Sequence, residues 1–378
     1  MFSLLYDEIL KTSDVIVVKV GTNVLSCNNG LLNEQRIAQL CGDLCSMMER
    51  KRRIVLVSSG AVGAGMGLLG LSERPTEIAH LQAVAAVGQG KLIETYTQTL
   101  RSHRIQCAQI LLTAHDLSNR ERYLNTRNTL LTLLDWGVLP IINENDTVSV
   151  SELHTTFGDN DRLAALVANL FDRPLLILLT DVDGLFDRDP KDPEAKLLPV
   201  IERWSPDLMQ MAVEKSSGRS KGGMSSKLKA AKMITASGGN AIIANGDRED
   251  TLRQIFAAQE TGTVFLTQEY LTARKRWLGF AVQTKGRLIL DEGAVNAVVK
   301  KGRSLLPVGI TDADGVFDRG EIVSIVDPQN VEIGRGLTNY GLRDVLRVCG
   351  KKTAELHGIL GQNVYTEVIH RDNMQLFD

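Results

Sequence analysis

Cysteine is scarce in this chain: its five residues (Cys27, Cys41, Cys45, Cys107 and Cys349) are odd in number and show no Cys-x-x-Cys spacing. Such a pattern argues against a disulfide framework and against a thiolate metal site, and Cys41 and Cys45, one helical turn apart, read as buried thiols. Histidine is equally sparse. The six residues (His80, His103, His115, His154, His357 and His370) are scattered without a His-x-x-x-His pair, which leaves little support for metal-assisted hydrolysis or triad chemistry. Net charge is nearly absent too: a formal value of -2 supplies neither the basic field of a polyanion binder nor an acidic tail. No apolar run reaches the length of a membrane span, and MFSLLYDEILKTSD places Asp7 and Glu8 where a secretory signal carries basic residues, so the expected location is the cytoplasm. A Walker motif is also missing, because Gly-x-x-x-x-Gly-Lys-Ser/Thr occurs nowhere in the chain.

What is present is a chain of 378 residues, 43% hydrophobic and 23% charged, long enough for two domains and a full α/β sheet. Short apolar runs at 15–20, 54–57, 108–112, 138–142, 175–179 and 241–244 alternate with longer helical patterns. Residues 33–50 and 81–100, with apolar side chains three and four apart, predict amphipathic helices. This alternation predicts a mostly parallel sheet with helices on both faces. Near Thr272 the pattern changes, through Arg274, Lys275 and Arg276, into a glycine-punctuated tail with short alternating segments such as 286–290 and 321–326. The domains expected are therefore 1–272 and 277–378, the second of them small and mainly β.

Several motifs sit where such a sheet would gather a ligand, at the carboxyl ends of its strands. Lys19 interrupts the first apolar run just before Gly21; a buried ammonium there calls for an anion such as phosphate, the other reading being a lysine that snorkels at the strand end. The second run ends in Ser58, Ser59 and Gly60 and leads into a helix start, where free N–H groups face outward. Gly65 to Gly70 matches Gly-x-Gly-x-x-Gly, but it lies several residues past the strand and lacks the acidic ribose partner, so we read its glycines as permitting close helix packing.

Thr180 and Asp181 follow the fifth run, and GRSKGGMSSKLK (218–229) offers a glycine pair and ammonium groups ahead of an Ala- and Lys-rich helix, as a triphosphate loop would; a solvated basic loop is the alternative. Amides and carboxylates concentrate in IINENDTV (141–148) and TFGDNDRL (156–163). Asn143, Asn145, Asp146 and Asn160 suit a substrate that carries both an amino group and a carboxylate, while Asp159 and Asp161 suit lysines or a magnesium ion. With no nucleophile in evidence, a reaction needing neither base nor covalent intermediate is favoured. Phosphorylation of a carboxylate is one, since the attacking oxygen is already ionised.

In order along the chain, VVKVGTNVL, VSSGAVGAG, LLTAHDL with NRERYLNTRNTL, LPIINENDTV, FGDNDRLAALVA, LLTDVDGLFDRDP and GGMSSKLKAA resemble the glutamate 5-kinases of the amino-acid kinase family. DEGAVNAVVKKGRSLLPVGI and GVFDRGEIV resemble a PUA domain. The resemblance implies an α/β three-layer sandwich with a mostly parallel central sheet plus a small mainly β PUA-like barrel. It also implies ATP-dependent phosphorylation of the γ-carboxylate of L-glutamate, the first step of proline synthesis, with magnesium as cofactor and proline as feedback inhibitor. A homo-oligomer is expected as well, and glutamyl phosphate reductase as a functional partner.

By position, the resemblance makes Lys19 and Lys227 the charge-neutralising pair and Asp161 their organiser. It assigns Ser59, Asp146 and Asn160, helped by Gly60, Asn143 and Asn145, to glutamate. It assigns Lys19, Thr180, Asp181, Lys221, Gly222, Gly223, Met224, Ser225, Ser226 and Lys227 to ATP. One departure stands out: Ser220 and Lys221 precede the glycine pair where many members have Gly-Thr.

RNA binding is the reading from another class, since PUA domains occur in RNA-modifying enzymes. The tail's twelve Lys and Arg against thirteen Asp and Glu form no dense basic stripe, which favours a regulatory or scaffolding role. Within the kinase reading, the rival acceptors are aspartate, acetylglutamate and carbamate.

Overall fold

The first apolar run becomes β1 (Ile16–Val20), which has a parallel neighbour on each side, so all five of its positions are buried, Lys19 included. A computed structural model describes residues 2–27, 31–148, 159–205, 208, 223–267, 273–361 and 365–377. It divides into two compact units, Met1–Tyr270 and Leu271–Asp378.

In the first unit the strands are β1, β2 (Ile54–Ser58), β3 (Cys107–Leu112), β4 (Leu139–Glu144), β5 (Leu175–Thr180), β6 (Val200–Ile201), β7 (Asn240–Asn245) and β8 (Thr263–Phe265). They form one eight-stranded sheet in the order β3-β4-β2-β1-β5-β7-β8-β6. Every pairing is parallel except β7 with β8. The chain adds β2 on one side of β1 and later β5 on the other, so a crevice opens beyond the carboxyl ends of these central strands.

The helices are α1 (Phe2–Thr12), α2 (Thr22–Leu25), α3 (Glu34–Glu49), α4 (Ala61–Leu69), α5 (Ile78–Ser102), α6 (Ala114–Ser118), α7 (Arg120–Asp135), α8 (Asp159–Ala168), α9 (Gly223–Ser237) and α10 (Thr251–Phe256). Ile16, Val18 and Val20 join residues of α1, α3, α5 and α10 in a single apolar core, among them Leu44, Leu92, Tyr96 and Phe256. Because side chains alternate along a strand, Val17 and Lys19 point to the other face. There α8, buried throughout Leu163–Ala168, packs on β1 and against α9. Helices thus cover both faces of a mostly parallel sheet, the three-layer α/β architecture expected from the alternation.

Two glycines set the spacing of the α4–α5 pair. A Cβ at Gly65 would fall 1.9 Å from the Val84 carbonyl oxygen, and one at Gly88 1.7 Å from that of Ala61, so the two backbones touch. Gly65 belongs to the Gly-x-Gly-x-x-Gly stretch, and it serves helix packing.

The second unit has its own five-stranded sheet, β10-β9-β11-β12-β13, from β9 (Gly286–Leu290), β10 (Ile310–Gly315), β11 (Ile322–Val326), β12 (Glu332–Leu337) and β13 (Met374–Leu376). β9 and β11 run parallel and the remaining pairs antiparallel. Leu288, Leu290, Val323, Ile325 and Ile369 centre its separate core.

Candidate active site

Lys19 leaves β1 on the face covered by α8, and its Nζ lies 2.7 Å from Asp161 Oδ1. The other oxygen of that carboxylate, Oδ2, is 3.2 Å from Lys227 Nζ and accepts a hydrogen bond of 2.7 Å from Ser226 Oγ. All three charged groups are buried, Asp161 to 1% exposure. Burial by itself would raise the Asp161 carboxyl, but the ammonium groups of Lys19 and Lys227 outweigh it and hold the group down at about 2. Lys227 sits lower than an ordinary lysine because burial disfavours its charge; Asp161 pulls it back, and Lys19 adds repulsion. Two cations against one anion leave a residual positive charge in a shielded place, which an incoming phosphate can neutralise.

The first turn of α9 completes this corner. Its Gly223 carbonyl accepts from both Ser226 Oγ and Lys227 Nζ, each at 3.1 Å, so the helix start and the lysine head are tied together. A Cβ placed at Gly21 would lie 3.5 Å from Lys19 Nζ, so the main chain following β1 passes beside the ammonium.

A polar chain lies at the ends of β2 and β4. Asn160 Nδ2 donates to Ser59 Oγ (2.9 Å) and to Asn143 Oδ1 (3.1 Å), and Asn143 Oδ1 also accepts from the Glu144 amide. The Asn160 side-chain oxygen, Oδ1, is buried and finds no hydrogen-bond partner among the described residues, which leaves an acceptor for a ligand N–H. Asp146 is buried, and its Oδ2 accepts from Gln89 Nε2 at 3.3 Å. Gly60 takes φ 101° at the turn into α4, a conformation that glycine adopts without strain. Asn145 spends its main chain on the local fold: its amide donates to the Leu112 carbonyl and its carbonyl accepts from Val148.

Beyond β5, Thr180 Oγ1 donates to Asp181 Oδ1 at 3.0 Å, and Asn23 of α2 donates to Asp181 Oδ2 at 3.2 Å. The Thr180 carbonyl accepts from the Gly246 amide at 2.6 Å, and Arg36 of α3 binds the carbonyls of Gly246 and, at 3.0 Å, Arg248. The charge on Asp181 reaches Lys227, so this strand end and the lysine pair share one field.

The structure thus brings Lys19, Asp161, Ser226 and Lys227 together, and Ser59, Asn143 and Asn160 together. Asp161 holds two lysines with its two oxygens. Ser226, expected on a nucleotide, hydrogen-bonds Asp161. Met224 and Ser225 are half-buried in the first turn of α9. Lys221, Gly222 and the side chain of Asp159 lie outside the described residues. Gln89, Asn23 and Arg36 escaped the sequence reading. For Gln89 a signal existed, a polar residue between two glycines on the apolar side of α5; Asn23 and Arg36 carried none, since a single polar residue on a surface helix is unremarkable.

Residues 14–245 match the model of the amino acid kinase family, and residues 286–360 that of the PUA domain. The chain is 47% identical to a glutamate 5-kinase of Thermoanaerobacter sp. (strain X514), over 96% of this chain and 98% of that one. It is 46% identical to a glutamate 5-kinase of Caldanaerobacter subterraneus subsp. tengcongensis, over the same shares of the two chains. A glutamate 5-kinase of Rhodopirellula baltica is 44% identical over 98% of this chain and 95% of its own length.

Proposed function

This chain belongs to the amino acid kinase family, and on that premise we propose that it phosphorylates the γ-carboxylate of L-glutamate with ATP, giving L-glutamyl 5-phosphate, the first step of proline biosynthesis. The observation that carries the reading is the Lys19–Asp161–Lys227 cluster beside the Ser59–Asn160–Asn143 chain. Phosphoryl transfer asks a protein for alignment and for positive charge around the moving group, and both ammonium groups are already in place before ATP arrives. No general base is needed, because the glutamate side chain is ionised near neutral pH.

In this reading Ser59, Gly60, Asn143, Asn145, Asp146 and Asn160 hold glutamate, with the Asp146 carboxylate and Asn160 Oδ1 serving its ammonium group. Thr180, Asp181 and residues 221–227 hold ATP. Lys19 and Lys227 neutralise charge developing on the transferred phosphoryl group, and Asp161 holds both ammonium groups in place.

Magnesium accompanies ATP in this reading. Among the described residues no three His, Cys, Asp or Glu side chains form a metal cluster, and both oxygens of Asp161 are engaged by lysines. A cation carried in on the phosphates with its own waters needs no such cluster.

Proline as a feedback inhibitor, a homo-oligomeric state, glutamyl phosphate reductase as a functional partner and a cytoplasmic location complete the reading, resting on family resemblance. Among the described residues no helix is long and apolar enough to cross a membrane. Residues 277–378 form the second functional domain, regulatory or scaffolding, with RNA disfavoured by its charge balance.

The deciding experiment incubates purified protein with ATP, magnesium and glutamate and traps acyl phosphate with hydroxylamine. Hydroxamate from glutamate is expected. Product from aspartate, acetylglutamate or carbamate with none from glutamate would transfer the assignment to another acceptor.

A further inference from the structure

We propose that Gln89 is a positioning residue of the acceptor site: from α5 it aims the Asp146 carboxylate at the ammonium group of the amino-acid substrate. The inference rests on the function proposed above and assigns a task to a residue outside the motif set.

Gln89 is 8% exposed, and its Nε2 stands 3.3 Å from both Asp146 Oδ2 and the Glu144 carbonyl oxygen. One side-chain amide thus spans the carboxyl end of β4 and the loop after it. Seven residues on, nearly two helical turns and therefore on the same face of α5, the buried Tyr96 hydroxyl meets Ser58 Oγ at 2.9 Å, at the end of β2. A single helix therefore grips both walls of the polar chain, Ser58–Ser59 on one side and Asp146 on the other. Its own position is set by main-chain contact with α4, through Gly88 on the Ala61 carbonyl and Gly65 on that of Val84. Since α4 begins directly after Ser59 and Gly60, the registry of these helices sets the registry of the site.

The chemistry of the side chain fits the task. A lysine at this position would orient Asp146 but cancel its charge, and would compete with the substrate's ammonium group. An amide donates to a carboxylate oxygen while leaving its negative charge in place for the ligand.

The test is kinetic and uses the full chain. Gln89→Met keeps the length and the apolar stem but removes the donor. Glutamate KM is expected to rise about tenfold, the size of one lost hydrogen bond to a charged group, with ATP KM and kcat unchanged. In an Asp146→Ala background the same substitution is expected to add less than about twofold, because the group it positions is gone. An unchanged glutamate KM, a parallel rise in both KM values, or an equal effect with and without Asp146 overturns the inference. Should Gln89→Met fail to fold, as judged by its thermal transition, Gln89→Leu removes the donor with a smaller apolar side chain, and a wild-type glutamate KM in that variant overturns it equally. Absence of hydroxamate from glutamate with the unmodified enzyme sinks the proposed function instead, so the two failures are told apart.

Discussion

Lys227 Nζ and Asp161 Oδ2 lie 3.2 Å apart although 66 residues separate them in the chain, one just past the first turn of α9 and the other on the first turn of α8. Only the packing of these two helices on the same face of the sheet joins them, and Lys19 of β1 closes the cluster from below.

Asp161→Asn preserves shape but leaves two ammonium groups buried side by side with no counter-charge. Breaking a buried pair of this kind costs about 3–5 kcal/mol, so urea denaturation should show a large loss of stability together with a fall in kcat. Wild-type stability in the variant would mean that the cluster is not held by charge.

The acid limb of stability follows from the same carboxylate. Its folded value, about 2, lies below the ordinary carboxylate value, so its stabilising contribution is complete above the unfolded value near 4 and is lost as pH falls toward 2. Thermal midpoints measured across that window should fall steeply in the wild type and more gently in Asp161→Asn.

At the alkaline end the relevant group is Lys227, which burial places below the ordinary lysine range. The ammonium form is the one that neutralises phosphate, so kcat/KM for ATP should decline earlier than an ordinary lysine would require. In kcat the same limb should move to higher pH, because bound phosphate favours the charged form. Lys227→Met should lower kcat by about a hundred- to a thousandfold while leaving glutamate KM nearly unchanged, the scale for removing one electrostatic donor. A limb that survives in Lys227→Met unaltered belongs to another group.

Gly88→Ala tests the helix contact. The added Cβ would sit 1.7 Å from the Ala61 carbonyl oxygen, which neither helix can accommodate without moving apart. A stability loss of at least about 1–3 kcal/mol is expected from denaturant titration, with glutamate KM rising because the Ser59 turn shifts. Gly90→Ala on the same helix meets nothing within 4 Å and serves as the control.

Asp146→Ala removes the acid that Gln89 holds. Glutamate KM should rise with ATP KM little affected, and an equal rise in both would contradict the placement of this acid on the acceptor side.

Most of the architecture was legible from apolar periodicity. The runs that predicted strands are β1, β2, β3, β4, β5 and β7 to within two residues at either end; β1, β2, β4 and β5 are buried along their length and so show as apolar runs, while the edge strand β3 is only half-buried. The same logic exposed Lys19, since a charge in such a run demands an explanation. β6 and β8 were not legible: two and three residues long, they are too short to show a period, and the antiparallel turn of β8 against β7 is settled by the connection between them. Within the site, IINENDTV and TFGDNDRL announced themselves by density of polar groups. Arg36 did not, because it acts alone from a helix whose pattern otherwise concerns the core, and Gln89 offered only its place between two glycines.

The residue order alone determined which segments become strands and helices and which carry the chemistry, because hydrophobic period and polar clustering are local properties of the chain. Partnership was decided only in three dimensions: that Asp161 gives one oxygen to each of two lysines, that Ser226 serves the carboxylate, and that Gln89 reaches Asp146. Those pairings depend on the distances between elements brought together by burying a shared core, and a linear pattern holds no record of such distances.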